Sequence, residues 1–502
     1  MKYIIVQAGG YGKRMKSYTR NKPKALVPVD NLPILFHLFK KYPESKYLII
    51  GDYKYDVLSK YLETFADVKN IVVGTDGEKG TCSGIANALK YIPINEPFLL
   101  IWSDLILPKD FEIPEGSENY IGISKDFTCR WSYESRKFAE EPSDQHGVAG
   151  MFVFKNKGQI QDVPKSGEFV AWLKRKNLVF EELALYKTKE YGLYETIETP
   201  ESGRCRPFNQ IEIQGDKIIK KAITAQGEEL SKKESRWYEK ARQYGIENIP
   251  EIYGTDPLVM DKVDGANIYM CNVSQEEKKK ILENIVVSLK SIHKNGICEP
   301  DYFSMYEAYY KKTIARLEKV RNLIPGADQK TIIINNRICR NVFFNLDELR
   351  EMILKLECDH FCFIHGDCTF SNMLADKGLN PYYIDPRGYF GHTLLYGDPR
   401  YDWAKVYYSL VGNYDQFNLK RFSLEINQQT DTRIILQIDS NGWENLENYF
   451  WTLTDQTVSE REIKLLHAII WLSLTTYAWE DYDSVCAAFY NGLFYLEELW
   501  SV

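Results

Sequence analysis

Residues 2–8, KYIIVQA, form an apolar stretch that runs directly into Gly9-Gly10-Tyr11-Gly12. A strand ending on glycines constrains the fold strongly, because glycine lets backbone N–H groups close on a phosphate with no side chain in the way. Further strands are expected at 47–50, 70–73 and 98–102, and the segments 53–65 and 84–89 between them can be written as helices. Alternating strand and helix predicts an α/β unit with a mainly parallel sheet and helices on both faces. After Asp104 the rhythm changes to shorter strands at 120–124 and 150–154, with helices expected over 168–174 and 180–186. Turn formers crowd 199–206, TPESGRCR, which is the expected boundary.

A second organisation starts at Phe208. Residues 211–213 and 217–223 read as paired strands around the Gly215-Asp216 turn, and a helix is expected over 230–244. Residues 250–253 and 258–263 complete a small sheet, and from Gln275 onward helices dominate, broken by strands flanking His365-Gly366-Asp367. At about 150 residues per domain, 502 residues make roughly three structural units. The expected division is one domain over 1–200, a sheet-rich small lobe over 201–265 and a large helical lobe over 266–502.

Hydrophobic residues at 44% and charged residues at 26% fit a soluble globular chain. No run of about 20 apolar residues is free of charge, so no membrane insertion is expected. The N-terminus offers no small-residue cleavage site, and a cytoplasmic location is expected. A formal net charge of −7 argues against nucleic acid as a partner, since that affinity rests on Lys and Arg against phosphates. Ten cysteines lack a repeated CxxC pattern, and Cys358, Cys362 and Cys368 are interleaved with a different motif, so free thiols are expected. The 35 Tyr, 24 Phe and 10 Trp could cage a cationic ligand, although packing accounts for most of them.

The stretch Gly9-Gly10-Tyr11-Gly12-Lys13-Arg14-Met15, with Thr19 and Lys22-Pro23-Lys24-Ala25-Leu26, matches neither a dinucleotide fingerprint nor a Walker loop. Arg14 and Lys24 would place positive charge on a triphosphate whose negative charge shifts toward leaving pyrophosphate, with Lys13 as the alternative ligand. The extended pattern resembles the signature of the sugar-phosphate and choline-phosphate nucleotidyltransferases. That resemblance implies a Rossmann-like, GT-A-like mixed-sheet domain with Gly9, Gly10, Gly12 and Lys13 cradling the triphosphate. It implies that Gly80, Thr81, Ser83 and Gly84 grip base and ribose, and that Asp104, at a carboxyl strand end, holds Mg²⁺ against the α-phosphate. Glu141 stands where the family carries a lysine for the sugar phosphate, leaving Lys125, Arg130 or Lys137 to compensate. The second metal carboxylate is expected at Glu198, with Glu195 the alternative. The implied reaction is attack of a phosphate or phosphonate oxygen on the α-phosphorus of an NTP, driven by alignment and charge stabilisation.

In the second half, Ile364-His365-Gly366-Asp367-Cys368-Thr369-Phe370-Ser371-Asn372 is followed by Asp385 in Tyr383-Ile384-Asp385-Pro386-Arg387-Gly388. Asp367 can deprotonate an alcohol while Asn372 and Asp385 hold Mg²⁺ on ATP phosphates, a division of roles known from protein kinases. The set resembles the aminoglycoside and choline kinase superfamily, which implies a bilobal, protein-kinase-like α+β domain. Lys220 and Glu234 are then the pair on the α- and β-phosphates. Strand alternation lets only one of Lys220 and Lys221 face the nucleotide, and Lys220 is preferred. Met260-Asp261-Lys262-Val263 would be the adenine hinge, so Asp261 and Val263 join the nucleotide site. Asp402 and His365 would secure the catalytic loop. The run IDPRGYFG looks more like kinase-like proteins found beside capsule and surface-polysaccharide enzymes than like choline kinases. Tyr389, Phe390, Trp403, Tyr477, Trp479 and Tyr482 could still receive a quaternary amine.

The two resemblances together imply one sequence of reactions. ATP phosphorylates a small alcohol, and an NTP, with CTP the first expectation, couples the resulting phosphate to a nucleotide. The alcohol is expected to be an amino alcohol such as choline, or a polyol. The alternatives are a sugar kinase with a sugar-1-phosphate nucleotidyltransferase, and a non-enzymatic regulatory or scaffolding protein.

Overall fold

The computed structural model describes residues 1–114, 118–193, 209–454 and 458–500. The chain divides into two compact units, Met1–Glu198 with Trp479–Asp483, and Thr199–Ala478 with Ser484–Val502.

In the first unit the strand Tyr3–Gln7 lies at the centre of a nine-stranded sheet. Lys46–Gly51 and Phe98–Trp102 pair with it in parallel on either side, and Asn70–Gly74 continues the parallel set beyond Lys46–Gly51. Ile4, Ile5 and Val6 are fully buried, as a parallel strand covered on both faces requires. Gly147–Phe154 turns the sheet mixed by pairing antiparallel to Phe98–Trp102. The parallel half carries the helices Ile34–Lys41, Tyr55–Phe65 and Ile85–Leu89. One face of the sheet packs Leu48, Leu100, Phe152 and Phe154 against Ile85, Phe169 and Trp172.

Residues 180–186 do not form the expected helix. Glu181–Leu185 is a strand parallel to Tyr120–Ser124, with Glu181 opposite Tyr120 and Leu185 opposite Ser124. Leu185 is buried while Glu181 and Glu182 face solvent, so pairing with a neighbouring strand overrides the local helical pattern.

The second unit opens on an antiparallel sheet in the order Asn209–Gln214, Lys217–Ala222, Leu258–Asp261, Ile252–Thr255. Helix Ala225–Gln243 follows the second of these strands, and the Thr224 side chain caps it by accepting from Gly227 N. Helix Gln275–His293 begins the larger lobe with a Ser274–Glu277 capping box. Helices Lys312–Val320, Pro399–Leu410, Glu460–Leu474 and Tyr482–Trp500 follow, with the hairpin Met373–Ala375 and Pro381–Tyr383 between them. The lobe is less uniformly helical than its sequence led us to expect. Arg337–Arg340, Thr331–Ile334, Thr432–Ile438 and Phe422–Gln428 form a further sheet in that order. The fold is therefore a mixed α/β sheet in the first unit, and in the second an α+β arrangement of a small antiparallel sheet followed by a larger, mainly helical lobe. No described helix is long and apolar enough to cross a membrane.

Candidate functional site

In the first unit the central strand delivers its chain into the glycine turn at the carboxyl edge of the sheet. Gly12 has φ +64°, and a Cβ there would stand 3.0 Å from Thr19 Cγ2 and 3.3 Å from Lys24 Cβ. The turn thus adjoins Lys24, which forms a mostly buried ion pair with Asp104. Asp104 arrives from the neighbouring strand, whose next residue, Ser103, donates its N–H to Gln7 O at 3.2 Å. The second loop reaches the same edge. Gln7 Nε2 donates to Thr81 O at 2.6 Å, and Ser83 Oγ donates to Gly80 O at 2.6 Å. Gly80 has φ +93° and its missing Cβ would lie 2.3 Å from Gly167 O, so no larger residue fits. Gly84 starts helix Ile85–Leu89 with φ +78°. Gly9 packs against Asp52, and Gly10 is open to its surroundings. Lys13 and Arg14 are both exposed, with the Lys13 ammonium 5.9 Å from the Tyr11 ring.

Sequence reasoning missed Glu190. Lys189–Glu190 pairs with Leu105–Ile106, which sets Glu190 opposite Leu105, next to Asp104. Burial first, and the Asp104 carboxylate second, push Glu190 above the usual carboxylate range, against the pull of Lys24 and Arg14. Two carboxylates and two cations thus share one place, and the oxygen pair suits Mg²⁺, which binds through one or two carboxylates plus phosphate oxygens. Nothing short of the strand pairing could have shown this, because Glu190 follows Asp104 by more than 80 residues with no motif between. Glu195 and Glu198 lie outside the described residues. Of the three cations considered in place of the lysine at Glu141, Arg130 is engaged by Glu140 and Glu168 and Lys125 donates to Gln145 O at 2.5 Å. Lys137 is exposed.

In the second unit Lys220 faces inward while Lys221 faces solvent. Lys220 Nζ lies 2.7 Å from Glu234 Oε2 and 2.5 Å from Asp385 Oδ1, joining strand, helix and metal-candidate loop through one ammonium. The His365-Gly366-Asp367 loop hangs on Asp402, whose carboxylate accepts from His365 N at 2.9 Å and Gly366 N at 2.7 Å. His293 Nε2 meets the same carboxylate at 3.0 Å. Burial opposes ionisation of Asp402, yet the hydrogen bond and charge of His293, and then the His365 N–H, hold its pKa below the ordinary value. His365 Nδ1 accepts from Asp367 N at 3.2 Å and its Nε2 contacts Ile384 O at 3.1 Å, which fixes one neutral tautomer. Burial accordingly lowers its pKa.

Asn372 Nδ2 donates to Asp367 O at 2.9 Å, which leaves Oδ1 as its oxygen for a metal. Ile384 N donates to Asn372 O at 3.0 Å, so the residues before Asp385 are tied to those around Asn372. An amide oxygen and a carboxylate beside the Lys220 ammonium fit Mg²⁺. No group of three or more His, Cys, Asp or Glu among the described residues is arranged for a metal. Cys358, Cys362 and Cys368 are buried, and burial pushes all three thiols above their ordinary pKa. Asp261 closes its strand with Oδ1 2.5 Å from Lys217 Nζ, and Val263 O accepts from Gly265 N at 3.0 Å.

Lys405 is the second residue that sequence reasoning passed over. Its Nζ lies 2.9 Å from Asp367 Oδ1, and Arg387 Nη2 lies 3.9 Å from the same oxygen. The only signal was helical spacing, which sets Lys405 one turn beyond Asp402 on Pro399–Leu410. Trp403 and Phe390 are core residues, packed on His293 and Phe450 and on Tyr309 and Phe361.

No protein-family model matches the chain. The bifunctional protein GlmU of Methanocaldococcus jannaschii is 30% identical over 111 residues, 22% of this chain and 26% of that protein. Mannose-1-phosphate guanyltransferase beta-A of Xenopus laevis is 33% identical over 175 residues, 32% of this chain and 44% of that protein. The chain therefore spans less than half the length of these curated relatives. Among solved structures, a choline/ethanolamine kinase family protein from Mesorhizobium loti is 15% identical with a TM-score of 0.34, covering 54% of this chain and 76% of that one.

Proposed function

We propose, from the premise that the chain joins a nucleotidyltransferase-like unit to a kinase-like unit, that it phosphorylates an alcohol with ATP and couples the phosphate to a nucleotide. The observation that carries this reading is that each unit holds its own lysine–carboxylate arrangement for phosphates, Lys24 with Asp104 in the first and Lys220 with Glu234 and Asp385 in the second.

In the kinase step Asp367 takes the hydroxyl proton as the alcohol oxygen bonds to the γ-phosphorus, and the bond to the β,γ-bridging oxygen breaks to leave ADP. Lys220, held by Glu234, neutralises the α- and β-phosphates. In the transfer step an oxygen of the new phosphate bonds to the α-phosphorus of an NTP, and pyrophosphate leaves. Lys24 and Arg14 stabilise the charge that moves onto it, while the backbone of Gly9, Gly10 and Gly12 cradles the triphosphate. Gly80, Thr81, Ser83 and Gly84 hold base and ribose. When bound, Mg²⁺ supplies charge neutralisation at the phosphate oxygens, held by Asp104 with Glu190 in one unit and by Asn372 with Asp385 in the other.

CTP with a polyol or amino-alcohol phosphate is the leading form of the second reaction. A sugar-1-phosphate form is favoured by one observation, the sugar phosphate in the name of the Xenopus relative. Pyrophosphate release with CTP, UTP, GTP and dTTP against panels of polyol, amino-alcohol and sugar phosphates separates the two. The absence of both ATP turnover and pyrophosphate release across those panels would favour a regulatory or scaffolding role.

A further inference from the structure

Asp367 stands among cations in excess of what ATP handling needs. Lys220, on the ATP side, is balanced by Glu234 and Asp385. Around Asp367 the balance is different. Lys405 and Arg387 both lie beside its Oδ1, and Arg387 Nη1 donates to Tyr401 Oη at 2.7 Å. Lys312 and Arg316, one turn apart on helix Lys312–Val320, feel the charge of Arg387 and of Tyr401, and Lys312 also feels Lys405. Arg316 is held by Ser473, donating to its backbone O at 2.7 Å and its Oγ at 2.8 Å. Among the described residues neither Lys312 nor Arg316 is ion-paired with a carboxylate.

Lys405 and Arg387 thus share the Asp367 carboxylate, while Lys312 and Arg316 add positive charge to the same field with no carboxylate of their own, in a partly buried place where uncompensated charge is costly unless a ligand brings the opposite sign. Two perturbed groups report the same field. Burial first, and then Arg387, Arg316 and Lys405, bring Lys312 down to about 8, with Tyr401 acting against them. Burial works against a Tyr401 phenolate, yet Arg387, Lys405 and Lys312 bring that group down to about 8 as well. Two of the six rings offered to a quaternary amine already lie over cations, Tyr389 at 5.8 Å from the Arg387 guanidinium and Tyr477 at 4.6 Å from that of Arg316. A cationic acceptor would meet like charge here.

We infer that the acceptor of the kinase-like unit is an alcohol bearing a second, anionic group, a phosphate, phosphonate or carboxylate, which Lys312 and Arg316 hold while Asp367 faces the hydroxyl. This rests on the proposed kinase activity and narrows its acceptor away from amino alcohols.

The test uses the full chain with ATP, Mg²⁺ and matched acceptors: glycerol, glycerol 3-phosphate and glycerate, glucose and glucose 6-phosphate, and choline. Phosphorylated or carboxylated members are expected to exceed their neutral partners in kcat/KM by about tenfold or more, a factor in line with one charge-assisted contact. The phosphate and carboxylate arms decide between the two anions. Lys312→Met is expected to raise the KM for the anionic acceptor about tenfold with the KM for ATP nearly unchanged, and Lys312→Arg to restore most of the loss. Arg316→Gln is the second variant should Lys312→Met fail to fold. Equal or better turnover of choline or glycerol overturns the inference, as does a variant effect on the KM for ATP alone, which would make the cluster a clamp on the transferred phosphate. Calorimetric titration with glycerol 3-phosphate, glycerate and glucose 6-phosphate, without ATP, separates the two levels. If no acceptor is turned over, the kinase reading fails. Saturable binding of an anionic acceptor that Lys312→Met abolishes would still sustain the inference, and no binding of any of them would end it.

Discussion

Lys220 holds Glu234 and Asp385 together in a place where it is only 9% exposed itself. Removing its charge leaves the buried Glu234 carboxylate without its cation and beside the half-buried carboxylate of Asp385. Lys220→Met should therefore cost about 3 kcal/mol in urea denaturation, the scale of breaking a buried pair, and raise the KM for ATP. A second residue prediction concerns pH. The Lys312 pKa is about 8 in the folded chain against an ordinary 10.5. The folded state then binds fewer protons than the unfolded one between those values, so stability rises with pH across that window and the penalty is complete below pH 8. Lys312→Met should be more stable than the wild type by about 1–3 kcal/mol at pH 7, taking 1.36 kcal/mol per pH unit, with the gap closing toward pH 10. Denaturation curves at pH 7, 8.5 and 10 measure it. At this scale the sequence was readable where one element decides. Alternation along Lys217–Ala222 is enough to turn Lys220 inward and Lys221 outward. It was silent where two distant elements decide, as at Glu190, which reaches Asp104 only through a two-residue strand pairing.

The loop 365–367 and the turn at Gly80 are the elements most exposed to substitution. Asp402 accepts two successive loop amides and the His293 ring, so Asp402→Asn would turn one acceptor oxygen into a donor facing an N–H. The expected outcome is a loss of about 1–3 kcal/mol for the unsatisfied buried group, with kcat falling more than the KM for ATP, read by thermal denaturation and steady-state kinetics. At Gly80 a methyl would press on Gly167 O and the residue would be held at φ +93°. Gly80→Ala should weaken NTP binding in the first unit while leaving ATP-dependent phosphorylation intact, which nucleotide titrations and the two assays distinguish. Strands were legible where apolar residues run on, as in Phe98–Trp102, or where a tight turn joins them, as at Gly215-Asp216. The strand at 181–185 was not, because its acidic exposed end and buried Leu185 suit a helix equally well until Tyr120–Ser124 is beside it. The sheet containing Thr432–Ile438 left a fainter mark. Thr432, Ile434 and Leu436 are buried and Arg433, Ile435 and Gln437 exposed, an alternation visible in the sequence but set within a helical region.

For the whole molecule the claim is that two chemistries reside in one chain, each on its own residues. Sequence carried that far because each unit has a compact motif whose members lie within a short stretch, Gly9 to Leu26 and His365 to Asp385, and short-range order survives without knowledge of topology. What it left open, the acceptor and the nucleotide, depends on residues gathered from several elements. The direct measurement is a pair of assays on full-length Asp367→Ala and Asp104→Ala proteins that remain folded: ATP-dependent phosphorylation of an acceptor, and pyrophosphate-dependent cleavage of the NDP-linked product. Asp367→Ala should lose the first by about a thousandfold or more and keep the second, and Asp104→Ala the reverse. Loss of both activities in either folded variant, with both nucleotides still bound, would contradict the assignment of the two reactions to separate residues.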